Sequence, residues 1–218
     1  MSVLLLVRHG QASFGAADYD QLSPLGVHQS ERLGRALHTS GIDPARIYSG
    51  TMKRHLQTSQ ATARTARWPV EVTTLRNWNE FDHHEVLRAE GGVEGGADTN
   101  DANRFLASLE KSTARWASGE HEHDYAEPFA SFTARVLEGL ELAIAGLSGS
   151  ATAVVFTSGG AISWITASLL GGGYPQWRIL NRVAINTGVT KVVLGRTGTS
   201  IVSFNNHSHL RPSHITYL

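Results

Sequence analysis

Three short clusters in the chain carry side chains suited to holding and attacking an anion. They are Arg8-His9-Gly10, the run from Ser49 to Arg54 that continues to Gln57-Thr58, and Thr157-Ser158-Gly159-Gly160. A neutral imidazole is a competent nucleophile toward phosphorus. A guanidinium beside it offers a planar, permanently charged fork that matches phosphoryl oxygens. A glycine after it lets the backbone come close to a substrate. Arg54 falls in the opening turn of a predicted helix, where early N–H groups and a guanidinium together make an anion site. Each cluster also has a plainer reading. Arg8 and His9 can be solvated loop residues, and Lys53, Arg54 and His55 can form an exposed basic face. Ser158 is open to three roles: attacking group, anion donor, or substitute for another residue.

The elements that must position these groups follow from the hydrophobic pattern. Val3 to Val7 is an unbroken apolar run, the pattern of a strand buried on both faces in a parallel sheet. Ser23-Pro24 supplies an N-cap and a proline at the first helical position, and the helix that follows stops at Gly41. Strands are predicted at 47–48, 70–72, 153–157, 189–194 and 200–204. Further helices are predicted at roughly 51–66, 101–117, 128–146 and 160–170. The segment 75–87 is mixed, and 91–101 reads as a glycine-rich acidic surface loop, either a mobile lid or a tolerated insertion. The order implies an α/β fold with a mostly parallel sheet and a helical insertion at about 75–150. All three clusters then sit just past strand C-termini, where the ligand crevice of an open α/β sheet lies.

Composition narrows the partners. The 218 residues are 41% hydrophobic and 17% charged, which fits a globular chain organised as one domain, 1–218, with an insertion. Nineteen basic and nineteen acidic residues leave no net charge, so no global field favours nucleic acid or an anionic membrane. The absence of cysteine excludes disulfides and thiolate chemistry. The N-terminal apolar run is too short for a signal segment or a membrane span, and a cytoplasmic location is expected. No sign of an oligomeric state is present.

Taken together, LLLVRHGQAS, LSPLG opening a helix, and IYSGTMKRHLQTSQAT resemble the histidine phosphatase superfamily, the phosphoglycerate mutase-like group with the R-H-G signature. The resemblance runs from residue 3 to about 205. It implies a three-layer αβα fold and hydrolysis of a small phosphorylated substrate through a phosphohistidine on His9. Arg8 and Arg54 would bind the phosphoryl oxygens. Glu80, in LRNWNEFDHHE, would act as acid and then base, with Asp82 and Glu85 as competing carboxylates. The scheme calls for no cofactor and no metal. Phosphoglycerate mutase-type phosphotransfer is a further option within the family.

The resemblance also exposes departures. The family follows its fourth strand with Ser-His-Gly-Gly, where the histidine is a second phosphate donor; aligning the glycine pair puts Ser158 at that position. Ser158 and the Gly159 amide would then contribute to phosphate binding, and His83, His84, His207 and His209 are candidates to replace the missing imidazole. Loss of one preorganised donor can slow such a reaction by roughly 100- to 1,000-fold, so a weakened member that binds a phosphate ligand in a regulatory role is the alternative reading. Gln11 stands where the family has an acidic residue, and SFGAADYD lacks its usual asparagine. A serine hydrolase reading fails on one side of the Gly-x-Ser-x-Gly elbow, because Phe156 precedes Thr157. His83-His84-Glu85 and His121-Glu122-His123-Asp124 have no second ligand cluster at a recognised metal spacing. Trp78, Phe81 and Trp116 are candidates for the site entrance, or core residues.

Overall fold

The structure is a computed structural model that describes residues 1–13, 18–91, 102–196 and 198–217, with backbone alone for 102–106. Apart from Gly91, the glycine-rich stretch falls outside those residues, as does 14–17 of the loop after His9.

A six-stranded sheet in the order β3-β2-β4-β1-β5-β6 organises the fold. Strand β1 (Ser2–Arg8) lies between β4 (Thr152–Thr157), with which it runs parallel, and β5 (Val189–Gly195), with which it runs antiparallel. Strands β2 (Arg46–Ser49) and β3 (Val72–Thr74) extend the parallel part, and β6 (Gly198–Asn206) closes the other edge as a hairpin with β5. Leu4, Leu5, Leu6 and Val7 are all buried, as predicted for a central strand covered on both faces. Strand β3 starts two residues later than predicted, because its register on β2 pairs Ile47 with Val72.

Helices α1 (Pro24–Thr39) and α2 (Lys53–Ala66) cover one face. Leu33 and Leu37 from α1 and Ala66 from α2 pack on Leu5, Val7, Ile47, Val154 and Phe156. The Ser23 hydroxyl caps α1 by accepting from Gly26 N at 3.0 Å. A Cβ at Gly26 would overlap the Gln11 carbonyl, so only glycine lets α1 press this close to the segment after His9. Helix α6 (Gly159–Leu169) packs on β1 and β6, and α7 (Tyr174–Arg182) packs on α6. The result is a three-layer α/β fold with a mostly parallel sheet. Connections from β1 and β4, which are neighbours, leave in opposite directions: β1 leads through α1 to β2, and β4 leads through α6 and α7 to β5. That reversal places a crevice at the carboxyl ends of these two strands.

By Cα packing the chain forms two compact units, one of 1–80 with 136–218 and the other of 81–135. The second unit holds α3 (His83–Ala89), α4 (Ala102–Ala117) and the start of α5 (Phe129–Ala145), along which the chain returns to the first. Its core is aromatic, with the Phe81 and Trp116 rings 4.8 Å apart and Phe132 5.6 Å from Phe81. Both Phe81 and Trp116 are buried in that core, and Trp78 is buried in the first unit against Gly139 of α5. All three are packing residues, so of the two readings the core one holds. Helices α3 and α7 were not predicted. Among the described residues no helix is long and apolar enough to cross a membrane.

Candidate functional site

The sheet register brings the three clusters together. Val7 pairs with Phe156 and Ser49 also pairs with Phe156, so β1, β4 and β2 end side by side. Beyond the paired residues the contact continues: His9 N donates to the Thr157 carbonyl at 2.8 Å, and Gly50 N to the Phe156 carbonyl at 3.0 Å. Residues 186–188, entering β5, close the far side. Gly188 O accepts from Arg8 N, and the Asn186 amide donates to the His9 carbonyl at 3.1 Å.

His9 is buried, and its Nδ1 lies 2.7 Å from the Gly10 carbonyl. A carbonyl only accepts, so Nδ1 carries the proton and Nε2 presents a lone pair. Burial first, then the charges of Arg54 and Arg8, hold the His9 imidazole well below its ordinary value. It is therefore neutral near pH 7. Arg8 donates through Nη1 to the carbonyls of Ala184 and Tyr217. Burial lowers its pKa to about 10, opposed by the Glu80 carboxylate, so it stays charged near neutral pH. Arg54 is buried, donates to Asp20 at 2.7 Å and lies over the Tyr19 ring. The Nε atoms of Arg8 and Arg54 are buried with no hydrogen-bond partner among the described residues. Buried orphan donors are rare, and two on neighbouring guanidiniums fit an anion-binding site.

Glu80 is carried to the same place by two anchors. Thr157 Oγ1 donates to the Trp78 carbonyl, and the Asn79 side chain accepts from Thr51 N. Glu80 Oε2 then accepts from Gly160 N at 2.9 Å, on the first turn of α6. A Cβ at Gly160 would overlap the carboxylate, so the glycine admits this approach. Gly159 opens α6, and a Cβ there would stand 3.5 Å from Arg8 Nε. Six predicted residues, Arg8, His9, Arg54, Glu80, Ser158 and Gly159, thus lie around one strand-end crevice. Asp82 and Glu85 are used within the other unit: Asp82 caps α3 by accepting from His84 N and Glu85 N, and Glu85 accepts from Ala126 N.

The residue beside Ser158 is His55. Its Nε2 lies 2.6 Å from Ser158 Oγ, and its ring centroid is 5.6 Å from that of His9. The plainer alternative, an exposed basic face, does not form: Lys53 is exposed and paired with Asp18, whereas Arg54 and His55 turn inward. None of the four predicted replacements has this place. His83 and His84 stack on each other in α3, with centroids 4.1 Å apart. His207 Nδ1 lies 2.8 Å from the Asn205 carbonyl, and His209 Nε2 2.9 Å from Thr187 Oγ1. Among the described residues no group of three or more His, Cys, Asp or Glu is placed to hold a metal ion.

Like His9, His55 is held well below its ordinary value, by burial and then by Arg54. The sign of the resulting pH dependence follows. Below about pH 6.5 the unfolded chain binds protons that the native imidazoles refuse. Stability is therefore complete above that pH and is lost as the pH falls, by up to about 1.4 kcal/mol per pH unit for each imidazole. The urea midpoint is expected to drop between pH 7.5 and 5.5, and to drop less in a His55→Gln variant. Equal midpoints at the two pH values would show that these imidazoles titrate normally.

Comparison with known proteins places the arrangement in context. The family model for the histidine phosphatase superfamily (branch 1) matches residues 4–207. A glucosyl-3-phosphoglycerate phosphatase of Mycolicibacterium vanbaalenii is 29% identical over 192 residues, covering 81% of this chain and 78% of its own. A 2,3-bisphosphoglycerate-dependent phosphoglycerate mutase of Thermobifida fusca is 29% identical over 111 residues, covering 46% and 43%. Among solved structures, a phosphoserine phosphatase mutant of Entamoeba histolytica in complex with phosphoserine superposes with a TM-score of 0.66 at 22% identity, over 97% of this chain and all of the other.

Proposed function

The chain belongs to the histidine phosphatase superfamily, branch 1, and from that premise we propose that it hydrolyses a small phosphomonoester through a phosphohistidine on His9. Arg8 and Arg54 bind the phosphoryl oxygens, with Ser158 and the Gly159 amide. Glu80 protonates the leaving oxygen. A cytoplasmic location and one domain with a helical insertion are part of the same proposal, and the scheme draws on no metal or cofactor.

The observation that carries this reading is the bond between His9 Nδ1 and the Gly10 carbonyl. It aims an unprotonated Nε2 lone pair, on an imidazole kept neutral by burial and flanked by two guanidiniums. Attack forms the N–P bond and breaks the P–O bond, and the departing oxygen takes the proton of the Glu80 carboxyl. Glu80, now a carboxylate, takes a proton from water as that water attacks phosphorus. The N–P bond breaks, and inorganic phosphate and free His9 result. Hydrolysis rather than transfer is our reading, in line with the phosphatase relative that aligns with 81% of the chain, although mutases are also among its relatives.

A second reading rests on one observation, the 2.6 Å contact between Ser158 Oγ and His55 Nε2, which is the spacing of a serine nucleophile and its base. Two features oppose it. His55 Nδ1 has no partner among the described residues, so no carboxylate orients the ring. The Ser158 backbone, at φ −116° and ψ 170°, is ordinary extended chain rather than a strained elbow.

The test is to mix the protein with a labelled phosphomonoester and quench within the first turnover. A covalent phosphoryl group that is stable in alkali and lost in acid, and absent from His9→Ala, is expected. Label on Ser158, or phosphate release with no trapped intermediate, would overturn the reading.

A further inference from the structure

Ser158 occupies the N-cap of α6, yet its side chain makes no cap hydrogen bond. A serine at that position ordinarily bonds the N2 or N3 amide and so holds the helix start. Here the cap is forgone and Oγ is turned to His55. His55 is wholly buried, and its Nδ1 lies against Gly50, which has no side chain to offer. A buried imidazole with one nitrogen unpartnered and the other spent on a nucleophile-like hydroxyl requires an explanation.

We propose that His55 is a positioning residue that acts through Ser158: its Nε2–H donates to Ser158 Oγ, which directs the hydroxyl hydrogen at a phosphoryl oxygen held between His9, Arg8 and Arg54. The inference rests on the phosphatase reading and adds a residue to it. Of the two neutral tautomers, Nδ1–H would bury a donor with no acceptor among the described residues. Nε2–H spends its proton on Oγ. The hydroxyl then accepts from the ring, and its single hydrogen is left to donate onward. The relay delivers a neutral donor rather than a charge. Its value grows as negative charge builds on the phosphoryl oxygens, so it favours the transition state over bound substrate. Burial at the strand ends keeps the chain of bonds out of water, where such bonds strengthen one another.

The experiment compares His55→Gln with His55→Leu. The two side chains are of similar size, but only glutamine can place an N–H where Nε2 stands. Ser158→Ala and the double variant His55→Leu/Ser158→Ala complete a cycle, with urea midpoints measured for each. The expected results are a loss in kcat of about 100-fold for Ser158→Ala, as for one oxyanion donor removed, and a loss of similar scale for His55→Leu. KM should change little, and His55→Gln should retain activity within about fivefold if a donor at Nε2 suffices. The double variant should be no slower than Ser158→Ala, because the two residues act as one chain. Additive losses, equal losses in glutamine and leucine, or an unchanged kcat in His55→Leu would overturn the proposal while leaving phosphohistidine chemistry in place. If the wild type releases no phosphate, the phosphatase reading fails separately. The same cycle is then read in vanadate affinity by calorimetry, where coupled losses support the relay and additive losses sink it.

Discussion

A His9→Ala variant is expected to lose at least about 10,000-fold in phosphate release, the scale seen when a covalent nucleophile is removed. Inorganic phosphate should still bind within roughly tenfold of wild type, because Arg8 and Arg54 supply most of the charge for the anion. No neighbour can take over the attack. The His55 ring centroid is 5.6 Å away, but its Nε2 is engaged by Ser158 Oγ. Ser158 has a hydroxyl next to an imidazole, yet among the described residues no third group orients that imidazole. The same variant separates the two readings of the site. An esterase built on Ser158 would keep its activity toward carboxylic esters when His9 is removed and lose it with Ser158→Ala. Phosphate release that survives in His9→Ala would rule out His9 as the nucleophile. Retained phosphate binding with lost turnover would locate the defect in the chemical step.

The parts of this site that could be read in the sequence are those whose signal is local. The run Val3–Val7 announces a doubly buried strand, and Arg8-His9-Gly10 at its end needs only that strand to be placed. The Ser23-Pro24 cap and the glycine pair 159–160 mark helix starts in the same way. The sequence pattern hides His55 for a physical reason. The buried residues of α2 are Arg54, His55, Thr58, Ser59, Ala61, Thr62 and Ala66, and five of the seven are polar. Hydrophobic periodicity sees such a helix as exposed, although Thr58 Oγ1 holds Gly10 N and His55 holds Ser158. The polar residues at the start of the helix meet the crevice and the turn after His9, while Ala66 at its other end packs in the apolar core. His83, His84, His207 and His209 stand out in the sequence only through closeness to Glu80 or to the last strand. The contact that matters spans 103 positions and is set by β2 and β4 ending side by side. Helix α3 is seven residues long, too short for a clear period, and owes its start to the Asp82 cap. Helix α7 carries Pro175 near its start, and Trp177 is its one buried residue, so its apolar stripe is also weak.

A Glu80→Gln variant should show a loss that depends on the leaving group. With an alkyl phosphate the departing oxygen needs a proton, and kcat is expected to fall by about 100- to 10,000-fold, the range for a positioned general acid. With an aryl phosphate such as p-nitrophenyl phosphate the phenolate leaves without help, so the first step should be nearly spared. The second step still needs a base for water, and the variant on aryl phosphate should therefore accumulate phospho-His9 and release p-nitrophenol in a burst. Glutamine preserves the side-chain oxygen that accepts from Gly160 N, so the carboxyl is removed with its anchor kept. This outcome also decides among the three carboxylates. Asp82 caps α3 and Glu85 holds Ala126 N, so Asp82→Asn and Glu85→Gln should lower the stability of the helical unit while leaving the response to the leaving group unchanged. Leaving-group dependence that appears in Asp82→Asn and not in Glu80→Gln would transfer the acid to Asp82. In that case the bond from Gly160 N would be an anchor for the 78–80 segment alone.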